Sequence, residues 1–93
     1  MDRRPLQFGT TRTFDKSFSA LPAKIQKRAL DKLGLYENDQ RHPSLRVKKL
    51  EGTPGIWEMS VSKDCRITFQ REGNVVLLRN IGYHDILKSA SNK

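Results

Sequence analysis

One cysteine, two histidines and no long apolar run are the scarcities that first constrain this 93-residue chain. The lone Cys65 excludes an internal disulfide and a cysteine-based zinc site, and it fits a reducing cytoplasm. With His42 and His84 as the only imidazoles, neither a dedicated transition-metal centre nor a cofactor is expected. No stretch approaches the ~20 apolar residues of a membrane span. Met1-Asp2-Arg3-Arg4-Pro5 has charge but no apolar region after it, so it does not read as a signal peptide. No repeat, low-complexity tract or linker breaks the chain. A fold of this length buries roughly 65% of its unfolded surface. The expectation is one domain over residues 1–93 with a thin core, located in the cytoplasm.

Positive charge is abundant. Eighteen Lys/Arg face ten Asp/Glu, for a net +8. Residues 1–49 hold twelve of the basic and five of the acidic residues, against six and five in the remainder. This asymmetry reads either as solvated Lys/Arg faces or as a surface for a polyanion: RNA, DNA or an acidic protein.

The hydrophobic period changes once. Leu6-Gln7-Phe8 reads as a short opening strand. Thr13 or Thr11 offers an N-cap to a helix carrying Phe14, Phe18 and Leu21 on one stripe. Pro22 suits the first turn of a second helix, whose apolar face holds Ile25, Ala29, Leu33 and Tyr36. Lys24, Lys27, Arg28 and Lys32 fall largely on another face. The polar segment 37–44 is a loop. Beyond it the period is two, with strands over Leu45 to Leu50, Trp57 to Val61, Cys65 to Gln70 and Val75 to Ile81, joined by short turns. The expected fold is α+β: an N-terminal strand and a helical hairpin packed on a four- to five-stranded, mainly antiparallel sheet. Trp57 and Phe69 are expected in the core. Glu58, Ser60, Arg66, Thr68 and Gln70 are expected on a partly open polar face with Arg66 near its middle. The tail from His84 is read as a short helix.

The ordered set Leu45, Lys48-Lys49-Leu50-Glu51-Gly52, Gly55-Ile56-Trp57, Cys65-Arg66-Ile67-Thr68-Phe69 and Leu77 to Asp85 resembles the RelE/ParE toxin superfamily over about residues 5–88. That family's pattern is a Lys-Leu-x-Gly turn, an aromatic-led strand, an Arg-hydrophobic-x-aromatic strand and a last strand ending in Gly-x-His or Gly-x-Arg. The resemblance implies the toxin of a type II toxin–antitoxin pair. Its members include ribosome-dependent, metal-independent mRNA endoribonucleases and non-catalytic inhibitors of DNA gyrase, and the fold also admits inactive relatives that only bind an acidic antitoxin. The implied partners are a cognate acidic antitoxin, the ribosome and mRNA, with no membrane and with DNA reached only through the antitoxin.

Metal-free RNA cleavage needs proton transfer and positive charge on the phosphate. His84 stands where the family's ribonucleases carry a catalytic His or Arg, and is expected as the general acid. Arg66 aligns with the family's sheet arginine and either clamps phosphate with its fork of donors or pairs with Glu58. Lys49 matches the family's lysine position, as a phosphate contact or a base. Lys48 and Lys49 are strand neighbours and point to opposite faces, so both reach one phosphate only if the strand is bulged. Arg46, Lys48, Lys63 and Tyr83 are the expected RNA contacts, Tyr83 by stacking. His42 is a candidate second acid or base, and Asp85 a candidate to orient His84. The chain departs from the pattern at Ser60, where a second sheet arginine is common, and at Ser44, where one subgroup has a carboxylate base. Lys88 and Ala90 stand where an aromatic often follows. The base stays unassigned.

Overall fold

The computed structural model describes residues 5–83. Strand β1 (Gln7–Thr10) leads into helix α1 (Arg12–Ser19) and helix α2 (Ala23–Asn38); a short 3-10 turn (Pro43–Leu45) precedes β2 (Lys48–Lys49), β3 (Trp57–Ser60), β4 (Cys65–Glu72) and β5 (Val75–Tyr83). The sheet order is β1-β5-β4-β3-β2. β1 runs parallel to β5, and the other pairs are antiparallel. Because β1 and β2 lie on opposite edges, the helical hairpin must carry the chain across one face of the sheet. This is the α+β arrangement expected from the change of period.

Local chemistry accounts for the elements. Thr11 is the N-cap of α1: its hydroxyl accepts from the Phe14 N–H at 3.0 Å and donates to the Arg79 carbonyl at 2.6 Å. One side chain therefore stops the helix fraying and ties it to β5. Pro22 precedes α2 and occupies its N-cap without a side-chain bond. Ala29, Leu33 and Tyr36 bury the apolar face of α2, and Phe14 that of α1. The sheet answers with Met59, Cys65, Ile67, Phe69, Val76, Leu78 and Ile81, all buried. Tyr36 meets Phe69 edge-on at 5.4 Å.

The near-continuous apolar run of β5 has a geometric reason. Thr68 pairs with Asn80 but Phe69 pairs with Leu78, so Arg79 is an extra residue on β5. That bulge switches the alternation, and Leu78 and Ile81, three residues apart, pack on the same side.

Three expectations are corrected. The strand over Leu45 to Leu50 shrinks to Lys48–Lys49, because Pro43 starts a 3-10 turn and Arg46 closes it in the left-handed region at φ 47°. The polar face is more covered than expected: Glu58, Ser60, Thr68 and Asn80 are all buried, while Arg66 and Gln70 stay partly exposed. Among the described residues no buried side-chain polar atom lacks a hydrogen-bond partner. Lys48 Nζ lies 3.4 Å from Glu58 Oε1, the Thr68 hydroxyl donates to the Asn80 carbonyl, and Asn80 Oδ1 accepts from the Ile81 N–H. Trp57, finally, is not core. It points to the helix side but remains 36% exposed, because α2 ends at Asn38 and the following loop leaves the ring uncovered. His84, Asp85, Lys88, Ala90 and the expected C-terminal helix lie outside the described residues.

Candidate nucleic-acid interface

Two basic cavities lie along the side of the molecule where α2, the 3-10 turn and the β3–β4 edge meet. The first is a trough of about 350 Å³ at the β3–β4 turn. Arg28 and Lys32 reach it from α2, Arg46 from the 3-10 turn, Lys63 from the β3–β4 turn and Arg66 from β4. Three serines, Ser44, Ser60 and Ser62, complete the polar lining among the described residues, which include no carboxylate. Arg28 and Lys32 are four residues apart, hence on one stripe of the helix. Five cations converging on one cavity create a positive field that attracts an anion.

Arg66 is held in place by the turn it follows. Its Nη1 donates to the carbonyls of Ser62 (2.7 Å), Lys63 (3.0 Å) and Cys65 (3.1 Å). The guanidinium therefore curls back to the turn end of the sheet instead of standing over its middle. Neither does it pair with Glu58, whose cation is Lys48. A guanidinium fixed through one nitrogen keeps its other N–H groups in a set orientation, as a phosphate clamp requires. Behind it, Cys65 is fully buried, and burial pushes its thiol above its ordinary 9.0; the Arg66 charge and a backbone hydrogen bond from Gly82 pull the other way.

The second cavity, about 670 Å³, lies past the C-terminal end of α2. Phe69 and Tyr36 form its buried floor, Trp57 an exposed aromatic wall, and Arg41, Arg46 and Arg71 its charge. Arg71 is the next inward-facing position after Cys65, Ile67 and Phe69. Its Nη1 donates to the Tyr36 hydroxyl at 2.9 Å and to Gln40 Oε1 at 2.6 Å, and its Nε to the Gly73 carbonyl. Arg46 lines both cavities.

His42 and Ser44 stand between the two. His42 lines the aromatic cavity and Ser44 the trough. His42 Nδ1 accepts from the Ser44 N–H at 3.1 Å and lies 2.9 Å from its hydroxyl, which Lys32 Nζ approaches at 3.4 Å. An Nδ1 that accepts a backbone N–H bears no proton, so the neutral ring carries its proton on Nε2. In that tautomer His42 offers its Nε2–H as a donor to the cavity.

The residues singled out in the sequence thus divide. Arg46, Lys63 and Arg66 share the trough. Lys48 and Lys49 face opposite ways: Lys48 pairs with Glu58, and Lys49 sits beside Trp57 in register. Lys49 lines a separate shallow hollow with Leu50, Glu51, Gly52 and Thr53, away from Arg66. Tyr83 is exposed at the end of β5 and pairs with Cys65, so the chain leaves the sheet next to Arg66. His84, the next residue, lies outside the described residues. Sequence reasoning missed Arg28 and Lys32 as trough residues, although their spacing of four was a signal. It also missed Arg71, whose signal was a cation at an apolar-side strand position. Among the described residues no three of His, Cys, Asp and Glu gather as a metal site, and no helix is long and apolar enough to cross a membrane.

No family model and no curated protein sequence matches the chain. Solved structures do. The E. coli DinJ–YafQ toxin–antitoxin complex superposes with a TM-score of 0.76 at 12% identity, covering 90% of this chain and 98% of that one. A double mutant of the E. coli toxin RelE in the free state gives 0.72 at 18%, over 96% and 94%. The RelB–RelE antitoxin–toxin complex of Methanococcus jannaschii gives 0.67 at 18%, over 87% and 95%. At such identities the likeness is one of fold.

Proposed function

We propose that this chain, built on the fold shared by the YafQ and RelE toxins, is the toxin of a toxin–antitoxin pair and a metal-independent endoribonuclease that cuts mRNA on the ribosome and so inhibits translation. The observation that carries the reading is the trough: five cations and three hydroxyls around about 350 Å³, with no carboxylate among the described lining residues. An RNA phosphate is a ligand of the right charge for it, and the surrounding Lys/Arg supply further phosphate contacts.

The chemistry follows from the residues. The 2′-hydroxyl attacks the adjacent phosphorus, its proton passes to water, and the bond to the 5′-oxygen breaks, leaving a 2′,3′-cyclic phosphate and a 5′-hydroxyl end. Arg66, fixed on its three carbonyls, and Arg46 and Lys63 oppose the charge that builds on the phosphate oxygens. His84 gives the departing oxygen its proton. The pairing of Tyr83 with Cys65 supports this role, since the described chain ends on the strand neighbour of Arg66. An acidic antitoxin would neutralise the toxin by covering the same cations, and DNA would be reached through that antitoxin.

Controlled expression with mapping of mRNA ends tests the reading. New 5′-hydroxyl ends should appear, and fall about 10²–10⁴-fold in His84→Ala and about 10²–10³-fold in Arg66→Ala. Toxicity that survives His84→Ala with intact mRNA and damaged DNA would point to a gyrase inhibitor instead. No growth defect at all would leave an inactive antitoxin binder.

A further inference from the structure

The nuclease chemistry occupies the trough and leaves the larger aromatic cavity unused. We infer that this second cavity, walled by Trp57 and charged by Arg41, Arg46 and Arg71, binds one nucleotide of a single RNA strand, its base stacked on Trp57. The inference extends the nuclease reading, because Arg46 lines both cavities and a strand whose phosphate lies in the trough can place a neighbouring base here.

Three observations carry it. A volume of about 670 Å³ falls in the range of small-molecule sites, roughly 300–1,000 Å³, and suits a mononucleotide. Among the described residues its lining combines an accessible indole with three guanidiniums and no carboxylate, which is the pairing of π-face and positive charge that unpaired nucleotides select. Finally, the polar parts are already set. Arg71 is bonded to Tyr36, Gln40 and Gly73, so it forms a fixed wall and holds the Gln40 carbonyl. The Gln40 amide NH₂ remains as a donor for an acceptor atom on the base edge. Trp57 needs no rearrangement to become accessible, since it is 36% exposed.

An acidic peptide with an aromatic anchor is the competing occupant. The nucleotide is favoured because the exposed aromatic surface of the cavity is one flat ring flanked by guanidiniums, beside the aliphatic Pro43 and Val47, while the aromatic floor of Phe69 and Tyr36 is already buried. A planar base can cover that ring face and present its phosphate to the guanidiniums at once.

Trp57 is the only tryptophan, so its emission reads this cavity alone. The full-length protein, without ribosomes, is titrated with a 2′-O-methyl RNA trinucleotide, which cannot be cleaved, with 5′-AMP, and with inorganic phosphate. The expected result is a saturable quench by the trinucleotide and by 5′-AMP, and none by phosphate. Binding of a fluorescein-labelled trinucleotide, read by anisotropy, should weaken about tenfold in Trp57→Leu and be retained in Trp57→Phe. Arg41→Ala, on an exposed loop, should weaken it several-fold with no change in melting. Flat Trp57 emission with all three probes, or equal affinity in Trp57→Leu, overturns the inference. So does a quench given only by an acidic peptide, which would assign the cavity to a protein partner. The two readings fail separately: a protein that cuts mRNA with flat emission loses this site alone, and one that binds the trinucleotide without cutting loses the nuclease alone.

Discussion

The trough and the aromatic cavity share Arg46 and a positive lining, yet they are built differently. The trough is a surface construction. Its cations sit on a helix stripe and two turns, and its anchor is an arginine bonded to turn carbonyls. The aromatic cavity is cut into the edge of the core, with Phe69 and Tyr36 as both its floor and part of the hydrophobic packing. One can hold charge only. The other can also hold a planar apolar group, and its ligand would rest on residues that the fold itself needs.

Mutation should separate the two sharply. Phe69→Ala removes a side chain that is 1% exposed and packs on Tyr36, and should cost about 3–5 kcal/mol in a denaturant melt. Arg28→Ala and Lys32→Ala should stay within about 0.5 kcal/mol of the parent. Each should instead lower the slope of log affinity against log salt for single-stranded RNA by roughly 1, as expected when one fewer cation meets a phosphate. If Arg28→Ala and Lys32→Ala unfold the protein, or Phe69→Ala does not, the contrast between a surface trough and a core-lined cavity fails.

The same contrast explains what the sequence disclosed. The change of period from helical to alternating, the Thr11 cap and the turns at Gly52, Gly55 and Gly73, all at positive φ, specify the elements. They are local signals, so the α+β architecture was legible. The cavities depend on what lies over each position, which periodicity does not encode. Trp57 alternates correctly with Met59 and Val61 and still ends half-covered, because α2 stops short of it. Glu58, Ser60 and Thr68 alternate as outward residues and are nevertheless buried. Of the trough, Arg46, Lys63 and Arg66 were named from sequence. Arg28 and Lys32 were seen only as a basic helix face, since nothing local tells that this face meets the β3–β4 turn, far along the chain. Lys49 was placed by motif with Arg66, and the register sets it beside Trp57 instead.

Arg46, the shared wall, carries a conformational strain that neither cavity's chemistry alone explains. It lies at φ 47°, ψ 47°, closing the 3-10 turn onto the Pro43 carbonyl. A residue with a Cβ in that region costs about 1–2 kcal/mol, and glycine there would give back about 0.5–1 kcal/mol through the freedom of its unfolded chain. Arg46→Gly should therefore leave the fold as stable as the parent, or about 0.5–1 kcal/mol more so. It should also weaken trinucleotide binding and mRNA cleavage together. A variant that loses stability along with binding would mean that Arg46 serves the turn and not the ligands.

A change in the slope of stability against pH distinguishes the trough end of the sheet from the aromatic end through Cys65, which neighbours Arg66 and pairs with Tyr83. Burial disfavours the thiolate, so the folded protein holds this thiol above its ordinary 9.0, with the Arg66 charge opposing the rise. The sign follows from linkage. Unfolding lets the thiol ionise at its ordinary value, so its contribution is complete below pH 9.0 and is lost as the pH climbs toward the raised folded value. Cys65→Ala should cost about 1 kcal/mol near neutrality and should flatten the alkaline fall in stability. Arg66→Ala removes the opposing charge and should steepen that fall, whereas Trp57→Leu, on β3 beside the other cavity, should leave its slope unchanged. Stability curves from pH 7 to 10 for the three variants decide it: a slope that moves with Trp57 and not with Arg66 would mean that the two ends of the sheet are coupled after all.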